Sequence, residues 1–339
     1  MRKYLIPENG NFYKANLHCH TTFSDGKKTP AEVKELYRSL GYSVVAYTDH
    51  DILIAHDELN DENFLALHGF EMEINEPGSP IKRTCHLCFI GIDPENMTQP
   101  LWHRTKYLFG NAPTHREEVV FDDTLPDYVR SYTHEGVNEV IATAQKKGFF
   151  VTYNHPTWSR EDFSHYSGYV GMNAFEIMNG SCLASGYEDY NPRVYDDMLR
   201  MGKKLYCIGA DDNHNGHPDG SRRSDSGLGF TVIKADKLDY RTITQALLDG
   251  SFYASEGPEI YELYYEDGKV YVRSSDADTI TCNYNTRRAG IKVNDSDEPV
   301  TSAEFAVPED CGYFRITVTD KKGKHACTNA YFVSDLIGE

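Results

Sequence analysis

The run Ser43-Val44-Val45-Ala46-Tyr47-Thr48-Asp49-His50 is short and apolar through Tyr47, then polar at its last three positions. An apolar run that delivers polar residues at its C-terminal end has the pattern of a buried parallel strand in an α/β protein. Upstream of it, the segment from Tyr13 to His18 ends in Asn16-Leu17-His18-Cys19-His20, and Pro30 to Leu40 reads as a helix with Val33, Leu36 and Tyr37 on one face. Gly41 follows where a helix-ending glycine belongs, which completes one β-α-β unit.

Downstream the same pattern repeats. Phe64 to Met72 reads as a strand ending near Glu71, and Thr84 to Ile92 as another that contains His86. Asn138 to Lys147 reads as a helix closed by Gly148, followed by a strand from Phe149 to Asn154 that ends at His155-Pro156. A strand from Ala174 to Met178, a helix from Tyr190 to Met201 stopped by Gly202, and a strand from Lys204 to Gly209 ending at Asp211-Asp212-Asn213-His214 come next. Alternating strands and helices imply parallel strands, and polar clusters at successive strand ends are what a β/α barrel presents on one face. An open doubly wound sheet would concentrate its site at one switch point.

The expected architecture is therefore an α/β barrel over residues 1–255, with an irregular, proline-punctuated insertion at 93–133 (Pro94, Pro100, Pro113, Pro126) placed to cover the cleft. Asp236 to Gly250, with Ile243, Ala246 and Leu247 on one face, reads as the last barrel helix. Beyond Gly257, Glu262–Tyr265, Lys269–Ser274, Thr279–Asn285 and Tyr313–Thr319 alternate between turn signals, so residues 256–339 are expected to form a small β-sandwich-like domain.

Composition narrows the class. The 339 residues carry a net formal charge of −18, a field that repels polymeric nucleic acid and anionic membranes but leaves open a small anionic substrate held by divalent cations. The 24 tyrosines and 16 phenylalanines supply large side chains for a core and a cleft. The eight cysteines are scattered through apolar runs without a small-scaffold framework, and are expected to be reduced and buried. Met1 to Gly10 lacks the apolar core of a secretory signal, and no apolar run is long enough for a membrane span, so a cytoplasmic location is expected.

Nine residues of metal-ligand type fall at or just after these strand ends: His18, His20, Asp25, His50, Glu71, His86, His155, Asp212 and His214. His18 and His20 are two residues apart, as are Asp212 and His214, so at an extended strand end each pair points to one side. The set exceeds what one tetrahedral zinc takes, and mixed imidazole and carboxylate donors suit two or three divalent ions such as Zn, Mn or Fe. Such ions activate water for hydrolysis without a protein nucleophile. Arg222 and Arg223, with His217 and Lys203 as weaker choices, are candidates for contacting the substrate, against the plainer reading of a solvated loop.

The run His18-Cys19-His20 with Ser24-Asp25-Gly26, then Thr48-Asp49-His50-Asp51, His155-Pro156 and Asp212-Asn213-His214, resembles the polymerase and histidinol phosphatase (PHP) superfamily of metal-dependent phosphoesterases. The resemblance spans roughly residues 13 to 255. It implies a distorted (β/α)7, TIM-like barrel with a trinuclear metal site. On that carry-over His18, His20 and Asp212 hold one ion, Glu71 bridges to a second completed by His86 and His155, and Asp25, His50 and His214 hold the third. Some members have a histidine where this chain has Asp25, which bears on the third ion. Glu73, His68 and His56 stand as alternatives to Glu71 and His86, whose flanking sequence is loose.

Other features have simpler readings. Cys85-His86-Leu87-Cys88 matches C-x-x-C, but on a strand its cysteines face opposite ways. Asp49 and Asp51 are candidates for orienting a ligand or for ordinary turn roles. Trp158 and Tyr153 are candidates for stacking on a substrate ring or for plain burial. The expected activity is hydrolysis of a small phosphorylated substrate, a nucleotide or phosphorylated metabolite. Its rivals are hydrolysis of a non-phosphate ester, amide or carbamate, an exonuclease role that the acidic charge disfavours, and a non-catalytic, metal-stabilised binding protein. A phosphatase calls for cations facing the phosphate, a carbonyl hydrolase for a drier, aromatic pocket. Oligomeric state is left open.

Overall fold

The computed structural model describes residues 2–78 and 82–337. Its first half runs β1 (Lys3–Tyr4), β2 (Asn11–Asn16), α1 (Pro30–Ser39), β3 (Val44–Tyr47), β4 (Leu65–Asn75), β5 (Thr84–Gly91), α2 (His134–Lys146), β6 (Phe149–Tyr153), α3 (Pro156–Ser159), α4 (Phe163–Tyr166), β7 (Ala174–Asn179) and α5 (Gly180–Ala184). It continues through α6 (Pro192–Arg200), β8 (Tyr206–Ala210), β9 (Phe230–Ala235), α7 (Tyr240–Leu248) and β10 (Phe252–Ser255). The remainder is β11 (Ile260–Glu266), β12 (Lys269–Ala277), β13 (Thr279–Tyr284), β14 (Ala289–Val293), β15 (Val300–Ala306), β16 (Tyr313–Thr319), β17 (His325–Thr328), β18 (Tyr331–Phe332) and a short terminal helix α8 (Val333–Ile337). No described helix is long and apolar enough to cross a membrane.

The fold is mixed α/β around one large sheet, ordered β14-β13-β16-β17-β10-β9-β2-β3-β4-β5-β6-β7-β8 with β18 beside β16. β2-β3-β4 and β6-β7-β8 are parallel, as the strand-helix alternation predicts. The β4–β5, β5–β6 and β2–β9 pairs are antiparallel, which departs from an all-parallel barrel. For β4 and β5 the reason is length: the link from Asn75 to Thr84 is shorter than the roughly dozen residues a parallel crossover needs. No strand is assigned from the sequence between His214 and Asp236, but β9 lies there and ties β2 to β10.

The sheet brings the end of β8 beside the end of β2. Asp212 N–H donates to His18 O at 2.9 Å, and His20 N–H donates to Asn213 O at 3.1 Å. Just beyond these two strands Cys19 and Asn213 form a parallel bridge, but no longer ladder among the described residues joins β8 to β9 or β2, and no closed barrel is detected. The C-terminal strands β17, β16, β13 and β14 extend the same large sheet, while β11, β12 and β15 form a second sheet with the N-terminal β1.

Strand alternation places the site. Ala15, Val44, Ala46, Leu65, Leu67, Ile90, Phe150, Ala174 and Ile208 share one fully buried core layer. Two or more steps along the same faces come Glu71 on β4, His86 on β5 and Glu176 on β7. An apolar floor thus carries a polar layer. α1 is held at its start by a capping box between Thr29 and Glu32, with Pro30 in the first turn, so the loop bearing Asp25 enters a fixed helix.

Candidate metal centre

His18 and His20 leave the end of β2 with their Nε2 atoms 3.2 Å apart. His50 follows β3 and pairs with Glu71 through an isolated parallel bridge. Asp25 sits on a loop tied down by Asp49, whose carboxylate accepts from Thr21 N (2.8 Å), Thr21 Oγ1 (2.7 Å) and Ser24 Oγ (2.6 Å). Asp49 therefore positions that loop. Asp51 turns the other way and accepts from Arg130.

All nine residues singled out by sequence meet in one cluster, buried except for half-buried Asp25 and His214. Four groups bring potential ligand atoms within 4.8 Å of one another: His20, Asp25, His50 and His214; His18, His20, Glu71 and Asp212; His18, His155 and Glu176; and Glu71, His86 and His155. Glu71 is the hub. Its Oε1 lies 2.9 Å from His86 Nδ1, 3.2 Å from His18 Nε2 and 3.3 Å from His155 Nε2, and its Oε2 lies 3.2 Å from both His20 Nε2 and His50 Nδ1.

These contacts suit a cation better than they suit one another. Asp212 Oδ1 is 3.1 Å from His18 Nε2 and 3.0 Å from His20 Nε2, yet it makes no hydrogen bond, and buried His86 Nε2 makes none either. Lone pairs that converge without aligning on a shared proton leave polar atoms orphaned in a buried site, where that costs roughly 1–3 kcal/mol each. The donor set, imidazoles with carboxylates, fits divalent transition metals.

The electrostatics agree. Burial penalises the Glu71 and Asp212 carboxylates, but the surrounding histidines, His18 foremost, hold both well below the usual range. Burial likewise opposes charge on His18 and His20, yet Asp212 and Glu71 raise both. His86 is pushed up to about 10 by Glu71 against burial, whereas His50 falls to about 3 because burial and the neighbouring His20 disfavour its charge. The layer is thus a set of committed anions facing titratable imidazoles, which a bound metal would compete to deprotonate.

Two members stand on strained backbone, His155 at φ 26° and Asp212 at φ 52°. Neither is glycine, and His155 precedes Pro156, which narrows its allowed conformations further. Such outliers cost about 1–3 kcal/mol each and gather at functional sites.

One cluster member escapes the strand-end pattern. Glu176 lies within β7, fully buried, with Oε1 2.9 Å from His18 Nδ1, while Oε2 accepts from His155 N and Asn179 Nδ2. The available signal was a glutamate two residues after Ala174 on an otherwise apolar strand.

Several expected participants sit elsewhere. Arg222, Arg223 and His217 are exposed and do not line the cleft, because the loop after His214 turns outward to solvent. Lys203 donates instead to the carbonyls of Tyr166, Ser167 and Tyr169. His68 packs on Tyr240 and His56 between Phe23 and Tyr47, away from the cluster, while Glu73 reaches the cleft with its Oε2 3.6 Å from His86 Nε2. Tyr153 is buried and donates to Glu161, so it has the plain structural role, whereas Trp158 lines the cleft. All eight cysteines are free and buried.

No family model matches this chain, and no curated protein does. Among solved structures it is similar to a two-domain protein from Bacteroides vulgatus ATCC 8482 containing a predicted PHP-like metal-dependent phosphoesterase, at 17% identity and TM-score 0.45, covering 96% of this chain and 98% of that one. A candidate metal-dependent phosphoesterase from Bifidobacterium adolescentis ATCC 15703 matches at 19% identity and TM-score 0.41, over 62% of this chain and 92% of that one. An amidohydrolase from Chromobacterium violaceum matches at 17% identity and TM-score 0.38, over 60% and 88% respectively.

Proposed function

We propose that this chain is a metal-dependent hydrolase of PHP type that cleaves a small phosphorylated molecule. The observation that carries the reading is Asp212 Oδ1, buried between His18 and His20 Nε2 atoms with no hydrogen bond of its own. On this reading His18, His20 and Asp212 hold one ion, Glu71 bridges to a second with His86 and His155, and Asp25, His50 and His214 hold a third. Zn, Mn or Fe suit these donors. Divalent ions there would lower the pKa of coordinated water and draw charge from the substrate's oxygens. Glu176 keeps His18 in the tautomer that turns Nε2 to the cluster, and Asp49 holds the loop of Asp25 in register. The two parallel strand sets over a shared core fit a distorted (β/α)7 barrel, with residues 256–339 as an appended β-sandwich-like domain, and a cytoplasmic enzyme of small molecules is the setting we infer.

A second reading is favoured by one observation. None of the described residues lining the cleft is a lysine or arginine, and Phe109 and Trp158 are among them. A carbonyl substrate, an ester, amide or carbamate, needs no such cation. Elemental analysis with hydrolysis of an aryl phosphate and a nucleotide panel, with and without added Mn²⁺ or Zn²⁺, tests the proposal. Two or three metals per chain, with phosphate release lost in His20→Ala and Asp212→Ala, is the expected result. Metal without phosphate release turns the assignment to carbonyl substrates, and failure to bind metal after reconstitution overturns both.

A further inference from the structure

The cleft over the cluster encloses about 310 Å³, the small end of ligand pockets. Two large aromatic side chains stand at it unburied: Phe109 is 56% exposed and Trp158 40% exposed. They approach the imidazole row from different elements. Phe109, from the insertion after β5, meets His50 edge-on at 5.6 Å, and Trp158, on α3, meets His86 at 5.2 Å and His155 at 5.3 Å. His50 and His86 lie 6.0 Å apart, so the two aromatics flank the histidines at the centre of the site.

Neither ring is a loose surface side chain. Phe109 is followed by Gly110 at φ 59°, whose backbone presses on Ser24 so closely that a Cβ there would lie 2.3 Å from the Ser24 carbonyl oxygen. Asn111 N–H donates to the same oxygen at 2.6 Å, and Asn111 Nδ2 donates to Thr22 O at 3.0 Å. The insertion is thereby fastened to the loop that carries Asp25. Trp158 is held in the short helix Pro156–Ser159, which starts directly after strained His155. Exposed apolar rings held in place beside a reactive centre keep water-facing area that a ligand in the cleft would cover.

The rest of the lining sets the charge. Ser181, Cys182 and Ser185 of the α5 region are small and neutral, and Glu73 presents a carboxylate that is 40% exposed on its side chain. The described lining holds no lysine or arginine to pair with a second anionic group on the substrate, and its carboxylates, Asp25, Glu71, Glu73 and Asp212, would oppose one. We propose that this cleft selects a small ester with a flat, uncharged aromatic ring that packs against Phe109 and Trp158, and disfavours substrates with further phosphates or carboxylates. The inference rests on the hydrolase reading for the reactive end of the molecule and adds the class of its other end.

Calorimetric titration of the full metal-loaded chain tests this without turnover, using two pairs of probes that differ only in the ring: phenylphosphonate against methylphosphonate, and benzoate against acetate. A rigid aromatic contact makes the aryl member of a pair bind about tenfold more tightly or better. The preference shrinks toward unity in Phe109→Ala and in Trp158→Ala, and is retained in Trp158→Phe, which also guards against a folding defect. A preference in the carboxylate pair alone supports the aromatic pocket while counting against the phosphoester reading. Equal binding within both pairs, or a preference untouched by both alanine variants, overturns the inference whatever ester the chain hydrolyses.

Discussion

Glu176 Oε1 lies 2.9 Å from His18 Nδ1, and the opposite nitrogen of that ring lies 3.1 Å from Asp212 Oδ1 and 3.2 Å from Glu71 Oε1. With a cation at the cluster, the carboxylate would accept the Nδ1 proton and leave Nε2 free to offer its lone pair to the metal. Glu176→Gln is expected to weaken metal affinity about 10–100-fold while the fold is kept. Metal titration by competition with a chromophoric chelator, alongside circular dichroism, reads this directly. Unchanged affinity would assign Glu176 a packing role only.

Metal removal should destabilise the chain. Asp25, Glu71, Glu176 and Asp212 crowd together, and ions bound only by the folded state stabilise it by about 2.7 kcal/mol at a free concentration a hundred times Kd. A chelated sample should therefore melt below a reloaded one, and His20→Ala should lose most of that difference. Identical melting curves with and without metal would sink the ligand assignment.

Arg130 bonds Asp51 with Nη2 2.5 Å from Oδ1, and its Nη1 donates to Glu73 O at 2.6 Å, tying the end of the insertion to β4. Burial lifts the Asp51 carboxyl to about 6 even with Arg130 beside it, so the pair is needed to keep that charge tolerable. Arg130→Ala leaves the carboxylate buried and alone, and should cost about 3–5 kcal/mol in denaturant unfolding. The double variant Arg130→Met with Asp51→Asn should regain part of the loss. A single variant as stable as wild type would show that water replaces the arginine.

Glu161 gives a pH test away from the cluster. Burial raises its carboxyl above the usual 4.5, although Tyr169, Tyr153 and Tyr132 all donate to it. A folded pKa above the unfolded one means the folded chain binds the proton more tightly, so this group adds stability as pH falls toward 4.5 and opposes folding at higher pH. Metal-free wild type should gain on metal-free Glu161→Gln when unfolding is compared at about pH 7.5 and about pH 5. An equal response in both chains would mean the tyrosines neutralise the cost of burial.

Much of the site was legible because its residues stand next to strong local patterns. Thr48-Asp49-His50 and Asp211-Asp212-Asn213-His214 each close an apolar run, and a strand end is where a polar side chain stops being a packing error. Glu176 broke that rule by sitting inside β7, and the inward face it shares with Ala174 is defined only by neighbouring strands. The arginine pair at Arg222 and Arg223 misled in the opposite sense, since charge in a loop carries no information about which way the loop turns.

Short-range chemistry, the residue types, the period-two runs and the helix stops at Gly41, Gly148 and Gly202, was settled by the sequence alone, because each depends on a few adjacent residues. Tertiary structure alone decided the antiparallel pairing of β2 with β9, the meeting of the ends of β8 and β2, the arrival of Glu176 behind His18, and the seat of Phe109 at the cleft. Each of these joins residues far apart in the chain, and pairing across such distances is selected by the packing of the whole molecule rather than by any local preference.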